Sequence, residues 1–195
     1  MYAYFDGTLV EKNPAYVVMD CNGIGYLLHI SLHTFSKIPE NGKCKLFAHQ
    51  SIREDAHILY GFADQEERLM FRSLISVSGV GEATARVMLS SMSPADIQQA
   101  ILSADVVRLT SIKGIGEKSA QRIIVDLKNK LGKENFGSVL LTGGVHTKLR
   151  QEALNALETL GFARNAAEKI VDKTLKEEGN TLTLEELVKK VLKNF

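Results

Sequence analysis

The chain has 195 residues, of which 45% are hydrophobic and 24% are charged, and its formal net charge at pH 7 is +1. This composition is typical of a folded globular protein, and it argues against extended disorder and against a protein that coats nucleic acid through charge alone. No apolar run approaches the roughly 18 residues that a membrane helix needs, and the first residues lack the pattern of a secretory signal. We therefore expect a cytoplasmic protein.

The first 63 residues are predicted to form a small β-barrel. Turn signals such as Asn22-Gly23 separate five short runs that are rich in β-branched and aromatic residues. A helical turn is expected over Leu32–Lys37. Five strands with one short helix fit an OB-type barrel. The predicted strands are Tyr4–Val10, Ala15–Cys21, Gly25–Ile30, Lys43–Gln50 and Ala56–Phe62.

Residues 64–133 have the pattern of helices joined by short turns. Asp64 with Glu67 three positions later is typical of a capped helix start, and Ser93 followed by Pro94 is a second one. Helical spacing of apolar residues follows each start. We expect Glu67 to lie on a solvated helix face, as glutamates on amphipathic helices usually do.

The last third of the chain is predicted to hold a linker and a small helical unit. Residues 134–147 are rich in glycine and show no sustained periodicity, which favours a flexible linker. Residues 148–195 are predicted to form a three-helix bundle, with Leu157, Leu160 and Phe162 as candidate core residues. The predicted helices are Leu149–Leu160, Ala166–Leu175 and a third one that Thr183 and Glu186 begin.

The most informative feature is an internal repeat at an offset of 35 residues. Val77–Ala85 aligns with Ile112–Ala120, and each copy has an apolar residue between two glycines, followed by a helix start. This is the pattern of a helix–hairpin–helix element. The two glycines are expected to adopt φ values closed to residues with a Cβ, and the apolar residue between them is expected to point into the core.

Such a hairpin can bind a phosphate through its backbone. Missing side chains let the phosphate approach, and the unsatisfied N–H groups of the next helix face it. A single Gly-x-Gly is more often a plain tight turn, but two copies in register favour DNA backbone binding. The spacing does not match a Walker loop, so nucleotide hydrolysis is excluded. The candidate DNA-binding residues are Gly79, Val80, Gly81, Lys113, Gly114, Ile115, Gly116, Lys118 and Arg122.

In its order of barrel, paired hairpins and three-helix unit, the chain resembles the RuvA family, the DNA-binding subunits of bacterial Holliday-junction branch-migration complexes. The resemblance covers nearly the whole chain. Besides the two hairpins, the segments that carry it are Arg53–Phe62, Arg122–Lys128 and Ala156–Phe162.

The resemblance implies a fourfold-symmetric tetramer, one or two per junction, that holds an open four-way junction. Glu54 and Asp55 would form an acidic pin at its centre, although two carboxylates in a turn are by themselves typical of a solvated loop. Residues 148–195 would bind the hexameric ATPase RuvB, and the RuvC resolvase is a further implied partner. No cofactor is implied.

Two acidic residues depart from the family pattern. Glu82 and Glu117 directly follow the second glycine of each hairpin, and the first hairpin lacks the lysine that the family often carries soon after it. An acidic residue at a helix start stabilises the helix but competes with an anionic ligand. We therefore expect modest DNA affinity at each hairpin, particularly the first.

Two other functions were weighed against junction binding. A helix–hairpin–helix glycosylase would need a catalytic aspartate well after the hairpin, whereas Asp126 lies in the helix that follows Gly116. A single-strand binder would need basic and aromatic residues along the barrel strands, but residues 1–63 carry more acidic than basic side chains. Neither the histidines nor Cys21 and Cys44 have metal-ligand spacing, so we predict no metal and no catalytic residue.

Overall fold

A computed structural model describes residues 1–133, 145–178 and 182–194. The chain divides into two compact units, Met1–Phe136 and Gly137–Phe195. The first unit holds a barrel and five further helices, and the second holds three helices, so the predicted mixed fold class is confirmed. Within the described ranges, no helix combines the length and the apolar character needed to cross a membrane.

The N-terminal strands close into a five-stranded barrel in the order β1-β2-β3-β5-β4. All neighbours are antiparallel except β3 and β5. Asn22 and Gly23 both adopt positive φ values, which suits the tight turn between β2 and β3. The helical turn α1 spans Leu32–Lys37, as predicted. The strands are β1 Tyr4–Asn13, β2 Tyr16–Cys21, β3 Ile24–His29, β4 Gly42–Ile52 and β5 His57–Phe62.

Five helices follow the barrel, and two of them begin at the capping signals predicted from the sequence. Asp64 accepts a hydrogen bond from the backbone N–H of Glu67 at 2.8 Å. Ser93 caps the fourth helix, with Pro94 in its first turn. The helices are α2 Gln65–Ile75, α3 Glu82–Ser91, α4 Pro94–Leu102, α5 Val106–Thr110 and α6 Glu117–Lys133.

These helices share a hydrophobic core with β5, and this core is separate from the one inside the barrel. Phe71 of α2 lies 5.0 Å, between ring centroids, from both Tyr60 and Phe62 of β5. The two β5 aromatics therefore belong to the same buried cluster as the helices that follow. Aromatic pairs at this spacing add to the stabilisation that burial supplies. The helices are consequently fixed to the barrel along β5.

Glu67 is fully buried, which makes the prediction of a solvated face wrong. Its carboxylate accepts hydrogen bonds from the hydroxyls of Ser31 and Thr34, the latter at 2.5 Å. Burial raises the pKa of Glu67, and the two hydroxyl donors act in the opposite direction. The residue thus joins α2 to the N-terminus of α1 through a buried polar contact that offsets part of its desolvation.

The second unit is a three-helix bundle of α7 Val145–Thr159, α8 Arg164–Glu178 and α9 Leu184–Leu192. Leu157 is fully buried and Phe162 packs against the core, as predicted. Leu160 is 59% exposed, which corrects its prediction as a core residue. It lies beyond the last helical residue, next to Gly161, whose φ of +95° ends the helix.

The predicted linker over residues 134–147 lies outside the described residues from 134 to 144. Helix α7 begins at Val145, inside the predicted linker and four residues before the predicted start at Leu149. Residues 145–148 include no glycine or proline, so the sequence has no helix-breaking residue between Gly144 and Leu149.

The barrel allows a test of packing at two strand glycines. A Cβ on Gly7 would lie 2.2 Å from the carbonyl oxygen of Asp20, whereas a Cβ on Gly25 would meet only Val18, at 3.7 Å. We expect Gly7→Ala to lower the free energy of unfolding by about 1–3 kcal/mol because the strands must separate. Gly25→Ala should change it little. Urea denaturation measures both, and equal losses would contradict this packing.

Candidate nucleic-acid interface

The two sequence repeats have the same backbone conformation. Gly79 and Gly114 have φ values of +91° and +92°, which favour glycine strongly. In each copy the N–H of the apolar residue after this glycine donates to the carbonyl three positions back, at 3.0 Å and 3.1 Å. The repeat in the sequence is therefore a repeat in structure, with two hairpins of one geometry.

The residue between the glycines fixes each hairpin to the core. Val80 is 5% exposed and Ile115 is 6% exposed, and both belong to the buried cluster of the helical domain. The glycines on either side of them are exposed. Burial of a branched apolar side chain contributes roughly 1.5–3 kcal/mol, enough to hold the tip of a short turn. Each hairpin is thus held by its buried apolar side chain, while its two glycines stay at the surface.

The second glycine of each hairpin needs another explanation. Gly81 has φ −84° and ψ 169°, an extended conformation open to any residue. The expectation that both glycines require special φ values is therefore wrong for this one. A Cβ on Gly81 or on Gly116 would have no heavy atom within 4 Å. Nothing inside the described chain requires glycine there, and the space in front of the backbone is open.

Helices α3 and α6 begin at this open surface. The first backbone hydrogen bonds of the two helices, from Ala85 to Gly81 and from Ala120 to Gly116, are both 2.9 Å long. The amides that precede them have no carbonyl partner within their helix. No side chain caps α3 at Gly81. Each hairpin therefore presents a positive helix end that suits an anion.

The basic side chains cluster at the second hairpin. Lys113, Lys118 and Arg122 are exposed. Arg122 lies 4.0 Å from Asp126, one helical turn along, while the two lysines form no ion pair with another residue that the structure describes. The equivalent positions of the first hairpin are Ser78, Ala83 and Val87. The hairpins therefore share a backbone geometry but differ in charge.

The two glutamates that follow the hairpins have different surroundings. The Glu82 carboxylate accepts a hydrogen bond from Ser51 at 2.8 Å and pairs with Arg53. The bond from Ser51 lowers the pKa of Glu82 most, and the backbone N–H of Glu82 itself and Arg53 lower it further. Glu117 is exposed and accepts a 3.2 Å hydrogen bond from Gln121. The two glutamates look alike in the sequence, which does not show that Ser51 on β4 and Arg53 just after it are partners of Glu82.

Helix α3 lies against the barrel along one polar face. Glu82, Arg86 and Ser90 are spaced by four residues and share this face. Arg86 donates to the carbonyl of Ala15 at 3.0 Å, and Ser90 accepts from the N–H of Leu32 at 3.1 Å. These contacts reach three separate parts of the barrel. The first hairpin is thereby held in a defined position relative to β4 and β5.

Glu54 and Asp55 lie at the tip of the β4–β5 hairpin, and both are exposed. The turn is closed by the N–H of Arg53, which donates to the carbonyl of Ala56 at 2.9 Å. The sequence placed this pair at a hairpin tip, and the structure agrees. The two carboxylates therefore project from the end of the β4–β5 pair. Ser51 and Arg53, just before them in the chain, are bonded to Glu82 of α3.

A group of residues with metal-ligating side chains lies between α1 and α2. Ligand atoms of His33, Asp64 and Glu67 come within 4.8 Å of one another. Lys37 donates to Asp64 at 2.8 Å, and both Glu67 oxygens already accept hydroxyl hydrogen bonds. The lysine ammonium supplies the positive charge that a metal would bring. This group therefore acts as a structural polar network.

Three family models match the chain in the order of its folded parts. Residues 1–61 match the RuvA N terminal domain. Residues 71–129 match a SAM-like helix-hairpin-helix tandem. Residues 148–194 match the RuvA C-terminal domain. Both helix–hairpin–helix repeats fall within the second match. The turn that carries Glu54 and Asp55, called the acidic turn below, falls within the first.

Curated relatives match along their whole length. The chain is 50% identical to a protein from Christiangramia forsetii, with 100% of both chains covered. It is 49% identical to one from Flavobacterium psychrophilum, again over 100% of both. It is 46% identical to one from Cytophaga hutchinsonii, over 99% of both. Each is described as Holliday junction branch migration complex subunit RuvA. The chain belongs to the RuvA family.

Proposed function

We propose that this chain binds four-way (Holliday) DNA junctions as a homotetramer, one or two per junction, and holds them open for branch migration in recombination and repair. The ATPase would be its partner RuvB, docked on residues 148–195, with the RuvC resolvase as a further partner in the cytoplasm. The chain itself would be a non-catalytic subunit. The full-length relatives named as branch migration subunits support this proposal.

The observation that carries the proposal is the open backbone at Gly81 and Gly116. Glycine at these positions has no cause within the described chain, but it lets a phosphate reach the first amides of α3 and α6. Two such sites of one geometry suit the two backbones of a single duplex arm. Contacts of this kind position the protein without sequence preference, which a junction binder requires.

The acidic turn would supply the preference for a junction. In a fourfold ring, Glu54 and Asp55 would repeat around the axis and bring eight carboxylates to the strand crossover. Like charges repel the phosphates there, so the strands would pass into separate arms rather than across the centre. The role of this turn would be electrostatic and steric, because it holds no group placed for chemistry.

The proposal is tested by the affinity of the full chain for a four-way junction, a duplex and a single strand of matched sequence. Fluorescence anisotropy should show the junction bound at least about tenfold more tightly than the duplex, since both the hairpins and the turn contribute. The mass of the complex should correspond to one or two tetramers. Equal affinity for junction and duplex would overturn the proposal, and a preference for the single strand would indicate a barrel-based binder.

The hairpins are expected to act through their backbone rather than through side-chain charge. Gly116→Val should weaken junction binding about tenfold or more, because each charge-assisted backbone bond that it blocks is worth roughly 1.5–3 kcal/mol. Gly114→Val should weaken it as well, with an added loss of stability from its positive φ. Lys118→Ala should weaken it far less. Equal losses for Gly116→Val and Lys118→Ala, at unchanged unfolding free energy, would indicate that lysine charge carries the contact.

The acidic turn is expected to set selectivity rather than affinity. Replacing Glu54 and Asp55 by alanine should leave the fold intact and hold or raise DNA affinity, while the junction-to-duplex affinity ratio falls. The fall should be largest at low salt, because the Debye length shortens from about 30 Å at 0.01 M to about 10 Å at 0.1 M. The variant Glu66→Ala/Glu152→Ala removes the same charge elsewhere and serves as the control. An unchanged ratio at both salt concentrations would make the pair an ordinary solvated turn.

The C-terminal unit is expected to be separable. A chain that ends after Lys133 should still bind junctions, because the buried clusters of the barrel and of α2–α6 extend no further than Leu131. It should not support branch migration by RuvB, measured by strand displacement from a mobile junction. Full migration activity of the shortened chain would contradict this division of labour.

A further inference from the structure

Among the residues that the structure describes, the contact between Glu82 and the residues just before the acidic turn has no counterpart at the second hairpin. Glu82 is the first residue of α3, and its side chain is only 18% exposed. Glu117 is the first residue of α6, directly after the equivalent glycine, yet it is exposed and bonds one turn along its own helix. The same residue type at the same position of a repeat thus has two different environments.

Glu82 binds two side chains, those of Ser51 and Arg53, which lie just before the acidic turn at the end of β4. Ser51 donates to one carboxylate oxygen and Arg53 pairs with the other. Arg53 is also the residue whose N–H closes the turn on Ala56. Both oxygens of Glu82 are therefore used to hold the segment from which the turn projects. Ser51 itself is buried, which limits the movement of this contact.

Arg53 would have other partners without Glu82. It is adjacent in sequence to Glu54 and Asp55, and its side chain is half exposed. A free guanidinium at this place could pair with those carboxylates or with a phosphate, and either contact would reduce the negative charge of the turn. When Arg53 is paired with Glu82, the charges of these two side chains cancel. Glu54 and Asp55 at the tip of the turn then keep their full negative charge.

We propose that Glu82 is a positioning residue that fixes Arg53 and thereby ties the acidic turn to the first hairpin. This inference rests on the proposed junction binding. It gives the glutamate a role opposite to simple competition with the phosphate. The hairpin that contacts one DNA arm and the turn at the crossover then move as one body, and the turn stays negative.

The first test uses the free protein. Amide hydrogen exchange should be about fivefold faster across residues 52–57 in Glu82→Gln, as expected for loss of a coupled contact. Glu117→Gln is the matched control and should leave exchange in this segment unchanged. Arg53→Gln removes the same pair from the other side and should resemble Glu82→Gln. Unchanged exchange in both Glu82→Gln and Arg53→Gln would overturn the proposal without any reference to DNA.

The second test measures the junction-to-duplex affinity ratio of the same variants. Glu82→Gln should lower the ratio about fivefold, and the double variant with Arg53→Gln should lower it no further, because both act through one pair. Glu117→Gln should raise affinity for both DNAs and leave their ratio unchanged. If Glu82→Gln and Glu117→Gln raise affinity alike, Glu82 is only a repulsive charge and the proposal is wrong. If the wild-type protein has no preference for the junction over the duplex, the proposed function is refuted. The exchange test on the free protein would still decide whether Glu82 fixes the acidic turn.

Discussion

Burial of one branched apolar residue between two exposed glycines is the constraint on which the helical domain depends. Val80 and Ile115 are fixed in the core, so the chain must turn sharply on each side of them. The left-handed conformation of Gly79 and Gly114 makes this turn possible. As a consequence, two helices begin at the surface, each directly after an exposed residue that has no side chain. The geometry that builds the core therefore also builds the surface that we propose binds phosphate.

The two hairpins differ in their contacts and in their charge. The first is attached to the barrel through Glu82, Arg86 and Ser90 on one face of α3. The second carries the exposed positive charge of Lys113 and Lys118. The first hairpin is thus suited to set the position of DNA relative to the acidic turn, and the second to attract it. A protein with a net charge of only +1 can bind a polyanion in this way because geometry and local charge replace bulk basicity.

Local patterns in the sequence predicted what local physics determines. Strand alternation, capping residues and the 35-residue repeat predicted the barrel, the starts of α2, α4 and α9, and both hairpins. The sequence pattern does not show contacts between residues that lie far apart along the chain. Glu67 bonds to Ser31, 36 positions away, and Glu82 bonds to Ser51, 31 positions away. Neither pairing leaves a periodic signal, since tertiary packing brings a hydroxyl from one element to a carboxylate on another. The motif identifies the second glycine of each hairpin. Why glycine stands there is suggested only by the structure, in which the space next to this residue is open.

The central claim is that phosphates bind the bare backbone at the starts of α3 and α6. The most direct measurement is a structure of the full chain bound to a four-way junction, with the distance from the first backbone nitrogens of these helices to the nearest phosphate oxygen. We expect that distance to be about 2.7–3.2 Å at both hairpins, next to Gly81 and Gly116. Phosphates that contact only lysine side chains, or that lie along the barrel instead, would contradict it.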